Sequence, residues 1–197
     1  MQKSLDIPSN EQAVRGLTAG DSVSLTGWIY TGRDTFHKYL AEGNPAPVSL
    51  TGTAIYHCGP VAVFSEGRWQ IQAAGPTTSA REEPYMADII RRFGIRAIIG
   101  KGGMGETTRQ ACMDTGCVYL HVVGGAAQYL AASVREVGEV YMREEFGLTE
   151  AVWELYVTDF PCVVTMDTHG NDLHEDIRRQ SREQLREVLT DRYAISS

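Results

Sequence analysis

Three cations stand in short segments rich in glycine and hydroxyl side chains: Arg33 in GRDTFHKYL, Arg81 closing GPTTSAR, and Lys101 in GKGGMG. An arginine offers a planar fork that pairs bidentately with a carboxylate, and a lysine adds a compact point charge. Together they suit a small ligand with two carboxylates. Each segment also has a plainer reading. Arg33 sits where a strand gives way to a helix, so its guanidinium can reach over a helix N-terminus whose free N–H groups favour anions. A solvated charge there, and a structural role for His37 one turn on, fit the same pattern. Thr77, Thr78 and Ser79 make a donor-rich turn entered through Gly-Pro, and such a run before a helix equally serves as a cap. If a helical turn begins there, Arg81 faces the same pocket as Thr77. The glycines beside Lys101 let backbone approach a ligand closely. They form neither a P-loop, since Lys101 is followed by glycine, nor a dinucleotide fingerprint, since the downstream acid is missing.

Two further groups could hold a metal. Asp167, His169, Asp172 and His174 lie close in sequence, but Gly170-Asn171 is turn chemistry and the cluster reads as a solvated loop. Cys58, Cys112, Cys117 and Cys162 contain no CxxC pair, and zinc or iron–sulfur sites show tighter, repeated spacing. They read as small buried hydrophobes, so no metal site is assigned to this chain.

The cations need strand–loop–helix passages to hold them, and the sequence supplies these. Residues 23–30 read as a strand. DTFHKYLAEG follows as a helix with Phe36 and Leu40 on one face and Gly43 as its stop. AIYH, VAVF and RWQIQAA read as antiparallel strands around Cys58-Gly59-Pro60 and Ser65-Glu66-Gly67. Residues 84–93 form a helix on Met86, Ile89, Ile90 and Phe93, closed by Gly94. Strand RAIIG, the Lys101 loop, helix ETTRQACMDTG, strand CVYLHVV and a helix from about Ala126 to Val134 then alternate, which implies crossover units and a largely parallel sheet. WELYVTDF and CVVTMDTHG read as two strands broken at Pro161. A charged C-terminal helix places Leu173, Ile177, Leu185, Val188 and Leu189 on one face. Residues 1–20 read as a polar arm and 21–197 as one α/β domain.

Composition narrows the function. The chain has 197 residues, 43% of them hydrophobic, with 18 Lys+Arg against 25 Asp+Glu and a net charge of −7. That balance argues against a nucleic-acid partner, whose phosphates call for clustered cations. No run approaches the ~20 apolar residues of a membrane span. The first residues lack the apolar core of a secretory signal, so a cytoplasmic location is expected.

GRDTFHKYL, AIYHCGPV, GPTTSAR, GKGGMG and VTDFPCVVTMDTHGN occur in the order found in the β subunit of class I fumarate hydratases. The chain resembles that family, and the related L-tartrate dehydratase β subunits, over roughly residues 10–175. The resemblance implies a swivelling β/β/α domain, with a mixed sheet and flanking helices, acting beside an α subunit. That partner's cysteines would hold a [4Fe–4S] cluster whose open iron is a Lewis acid on the departing hydroxyl. Arg33, Thr78, Arg81 and Lys101 would bind the substrate, the cations taking its carboxylates, and Thr77 would be the proton-transfer hydroxyl. A threonine hydroxyl is a poor base, so Thr77 needs a nearby cation or a partner carboxylate, or serves only to orient substrate. Glu82 departs from the family, where many members have Met; an acid there could pair with Arg81 and alter substrate preference. The implied reaction is interconversion of fumarate and L-malate. The alternatives are L-tartrate dehydration and, from another class, a dicarboxylate-binding module without chemistry. A homodimer is compatible with the same reading.

Overall fold

The computed structural model describes residues 2–194; residue 1 and residues 195–197, the outer ends of the expected arm and domain, lie outside it. Nine strands and seven α-helices are present among the described residues. In chain order they are β1 (Gln2–Ile7), α1 (Glu11–Arg15), β2 (Ser22–Thr31), α2 (Asp34–Ala41), β3 (Ala54–Tyr56), β4 (Val61–Ser65) and β5 (Arg68–Ala73). A 3₁₀ turn (Ser79–Glu82) leads into α3 (Glu83–Phe93), β6 (Ala97–Gly100), α4 (Glu106–Thr115), β7 (Val118–His121) and α5 (Ala127–Ala131). β8 (Val134–Tyr141), α6 (Arg143–Phe146), β9 (Val152–Met166) and α7 (Leu173–Ala194) complete the chain.

β1, β2, β3, β6 and β7 lie side by side in parallel. β9 runs antiparallel to β7 and also to β2, so the sheet curls back on itself in a barrel-like arrangement, with β8 outside β9. β3, β6 and all but the end of β7 are buried on both faces, and side chains of the sheet alternate between two cores. Ile29, Ala54, Tyr56, Ile99 and Leu120 join the inner core with Trp153 and Phe160. Tyr30, Ile55, Ile98 and Tyr119 point the other way, against Phe36, Met86 and Ile90 of the helices. Burial on both faces is what a parallel sheet covered by crossover helices requires.

Several expectations change. Residues 2–20, expected as a polar arm, carry β1 and α1. β1 pairs with β2 from Gln2↔Ser22 to Ile7↔Gly27, and Leu5, Ile7, Val14 and Leu17 are buried. The polar residues that suggest an arm are the outward half of a strand with period two. AIYH enters the parallel sheet as β3, so of the three segments expected to be antiparallel VAVF and RWQIQAA alone pair that way, as β4 and β5. The chain passes through Pro161 without a break. Asp159 takes φ 51 and the β2–β9 register slips between Leu25 and Gly27, an irregularity of the kind at which a strand tolerates proline. β8 replaces the end of the helix expected to reach Val134. α7 forms, but Ile177, Leu185, Val188 and Leu189 are exposed rather than packed. No described helix is long and apolar enough to cross a membrane.

Candidate active site

The site is built at the carboxyl ends of three adjacent parallel strands, where open α/β sheets commonly place ligands. Arg33 follows β2, His57 follows β3 and Lys101 follows β6. Two backbone links draw the hydroxyl turn onto these ends. The Thr77 N–H donates to the His57 carbonyl at 2.6 Å, and the Ser79 N–H donates to the Lys101 carbonyl at 3.0 Å. Thr78 forms a parallel bridge with Lys101. Gly100 makes the approach possible, since a Cβ there would overlap Ser79 Oγ.

The 3₁₀ turn begins at Ser79, with Thr78 as its cap residue but without a side-chain capping bond. The hydroxyls of Thr77 and Thr78 have no hydrogen-bond partner within the chain among the described residues, so the plain cap reading is not realised. Thr78 and Arg81 are exposed, while Arg33, Thr77 and Lys101 are half-buried. The fold therefore gathers all five sequence-predicted residues at one end of the sheet, on a face open to solvent.

The arginines are engaged by carboxylates of the chain itself. Arg33 Nη1 lies 3.1 Å from Glu150 Oε1. The other oxygen of Glu150 accepts from the Thr35 N–H at 3.1 Å, in the first turn of α2. One carboxylate is thus held by a guanidinium and a helix N-terminus together, the arrangement expected for an anion. The Arg33 Nε is buried without a partner among the described residues. Arg81 Nη2 donates to Asp34 Oδ2. Lys3 and Lys38 have carboxylate partners, whereas Lys101, the third lysine of the chain, has none among the described residues. Its ammonium lies beside Gly124, where a Cβ would come within 3.9 Å.

Glu82 does not pair with Arg81. It turns inward, is 0% exposed, and stands 3.1 Å from Nδ1 of the equally buried His37. Arg81 takes Asp34 instead because the turn sends consecutive side chains to opposite sides. Glu150, Asp34 and His57 all touch this region and escaped sequence reasoning, while Ser79 was read only as part of the hydroxyl turn. Glu150 is 115 residues from its partner Thr35, and no local pattern reports such a pairing. His57 Nδ1 is 2.8 Å from Ser79 Oγ, and burial together with the neighbouring His37 holds its pKa well below the usual histidine range.

The residues do not fit an iron–sulfur cluster. All four cysteines are buried free thiols. Burial pushes Cys58 up to about 12 and raises Cys162 as well, the reverse of the shift a metal thiolate needs. Among the described residues no three His, Cys, Asp or Glu side chains are placed to share a metal. Asp167 instead caps its own loop, accepting from the His169 and Asn171 N–H groups. A cavity of about 610 Å³ opens elsewhere, lined by Val23, Val122, Val123, Tyr129 and Leu130 among others, and includes none of the five residues.

The family profile described as "Fumarase C-terminus" matches residues 2–177. A protein of Geobacillus stearothermophilus named as a class I fumarate hydratase is 56% identical over 182 residues, which are 92% of this chain but 35% of that protein. The chain thus spans about a third of the length of that relative. A protein of Methanocaldococcus jannaschii named as an L(+)-tartrate dehydratase subunit beta is 41% identical, covering 89% of this chain and 93% of its own length. The L(+)-tartrate dehydratase subunit beta of Escherichia coli K12 is 36% identical over 88% of this chain and 87% of its own. With a profile spanning both cores and relatives aligned across the site, the chain belongs to the Fumarase C-terminus family.

Proposed function

We propose that the chain is the β subunit of a two-subunit hydro-lyase that interconverts fumarate and L-malate. The observation that carries this reading is the convergence of Arg33, Thr77, Arg81 and Lys101 on three neighbouring strand ends, with both arginines already gripping carboxylates. The [4Fe–4S] cluster expected for the family is assigned to the α partner, since among the described residues no ligand set for it is present. The domain is of the swivelling β/β/α type, cytoplasmic, and closes over substrate held against that partner.

In this reading Arg33 and Arg81 take the two carboxylates and Lys101 adds a charge beside them, with Thr78 lining the same pocket. On L-malate, the carbon next to one carboxylate loses its proton to the deprotonated Thr77 Oγ1, which becomes the neutral hydroxyl, and the electron pair left behind forms the double bond as the substrate hydroxyl departs from the neighbouring carbon as hydroxide. Negative charge builds on the carboxylate next to the deprotonated carbon, where fixed cations stabilise it more in the transition state than in the ground state. Lys101, bridged to the threonine turn and without a side-chain partner among the described residues, is the cation suited to lower the cost of charge on that oxygen. In the complex, Thr77→Ala should lower kcat by roughly 10²-fold or more with KM within about threefold, the mark of a group acting only in the transition state. A kcat near that of the parent enzyme would remove Thr77 from the proton step.

A second reading has a specific basis. The relatives matched along nearly their whole length carry tartrate dehydratase names, so L-tartrate is the alternative substrate. Its extra hydroxyl would be met at the same face, and assays with both acids separate the two.

A further inference from the structure

Beneath the site runs a row of buried polar side chains that the proposed reaction does not use. Glu82 Oε2 stands 3.1 Å from His37 Nδ1, both side chains at 0% exposure. The same Nδ1 lies 2.8 Å from the Arg33 carbonyl, which can only accept, so this nitrogen carries a hydrogen. His37 meets His57 edge-on, with ring centroids 5.0 Å apart. His57 Nδ1 is 2.8 Å from Ser79 Oγ, which itself accepts from the Tyr119 hydroxyl at 2.8 Å.

The residues assigned to substrate are fastened to this row. Arg33 is held through its carbonyl on His37. Thr77 donates its N–H to the His57 carbonyl, and Lys101 accepts from the Ser79 N–H. Arg81 is the chain neighbour of Glu82. The 3₁₀ turn and α2 are therefore linked twice, by Arg81–Asp34 at the surface and by Glu82–His37 in the interior.

The interior link is costly. Neither oxygen of Glu82 receives a hydrogen bond among the described residues, and a buried carboxylate is expensive unless its charge is used. An apolar side chain of similar volume would fill the space without that penalty. We propose that Glu82 is a positioning residue. Its buried charge keeps the His37 ring against the Arg33 carbonyl and so fixes the spacing of Arg33 and Arg81 that selects a four-carbon dicarboxylate. This rests on the hydro-lyase reading above.

The test is E82Q, which keeps shape and removes charge, in the complex with the α subunit. Its KM for the preferred dicarboxylate should rise roughly tenfold while kcat changes by less than about threefold, the pattern of lost ground-state positioning. In a His37→Asn background the same change should add less than about twofold, because residues acting as one unit are not additive. In the full chain labelled with ¹⁵N-histidine, E82Q should shift the ring resonances of His37. A KM within twofold of the parent, or an equal effect with and without His37, would overturn the proposal. If the parent complex turns over neither fumarate nor L-tartrate, the hydro-lyase reading fails. The ¹⁵N spectrum then decides Glu82 separately: unchanged His37 resonances overturn its hold on the ring, and shifted ones support it.

Discussion

Glu150 is held where a substrate carboxylate would be welcome, between the Arg33 guanidinium and the first turn of α2. An internal carboxylate in such a place keeps the cation oriented, yet it competes with any incoming one. Removing its charge while keeping an oxygen for the Thr35 N–H should favour substrate. In the complex, Glu150→Gln is expected to lower KM for the dicarboxylate by roughly threefold, a modest fraction of a charge-assisted bond. A raised KM in the assay would show instead that Glu150 is needed to aim Arg33. At this scale the sequence was informative about the cations and silent about their counter-charges. Arg33, Thr77, Thr78, Arg81 and Lys101 stand out through glycines and hydroxyls beside them in the chain. Glu150 and Asp34 matter through partners that only folding supplies, and Glu82 points opposite to the direction its neighbourhood suggests.

The elements that carry the site were the most legible part of the fold. α2 and α3 show apolar residues at helical spacing and end in glycine, and Gly94 takes the left-handed conformation that terminates α3. β1 was hidden because a strand paired at a sheet margin shows only half its residues as apolar. β9 was divided at Pro161 because proline usually ends a strand, and the pairing with β2 that carries the chain through is long-range. Where β3 meets the hydroxyl turn, His57 is buried and neutral. Its folded pKa lies below the unfolded value near 6.5, so the unfolded chain binds the extra proton as acid is added. Stability is therefore present above about pH 6.5 and falls below it, by up to about 1.4 kcal/mol per pH unit from this group. His121, shifted the same way by burial and by His174, adds to the trend. Urea unfolding at pH 7.0 and 5.5 should show the loss, and His57→Asn should flatten it. An unchanged slope in that variant would mean that His57 does not stay neutral in the fold.

Taken whole, the molecule is a barrel-like α/β domain with three cations gathered at one end and a C-terminal helix on which Ile177, Leu185, Val188 and Leu189 are left uncovered. A net charge of −7 makes the gathering of Arg33, Arg81 and Lys101 at three strand ends a local exception to the overall balance. Arg81 is exposed and Arg33 and Lys101 are half-buried, so none of the three cations is enclosed, and the chain's own cysteines are buried and unsuited to a cluster. Both features suit a subunit that completes another chain's site. The central claim is tested most directly by an anaerobic assay of the chain alone and with its iron–sulfur-reconstituted α subunit, offering L-malate, fumarate and L-tartrate and counting bound iron. Iron and turnover only in the complex, with one of these acids preferred, are expected. Iron bound by this chain alone, or a fully loaded complex that binds fumarate and converts none of the three acids, would contradict the reading and leave a dicarboxylate-binding module in its place.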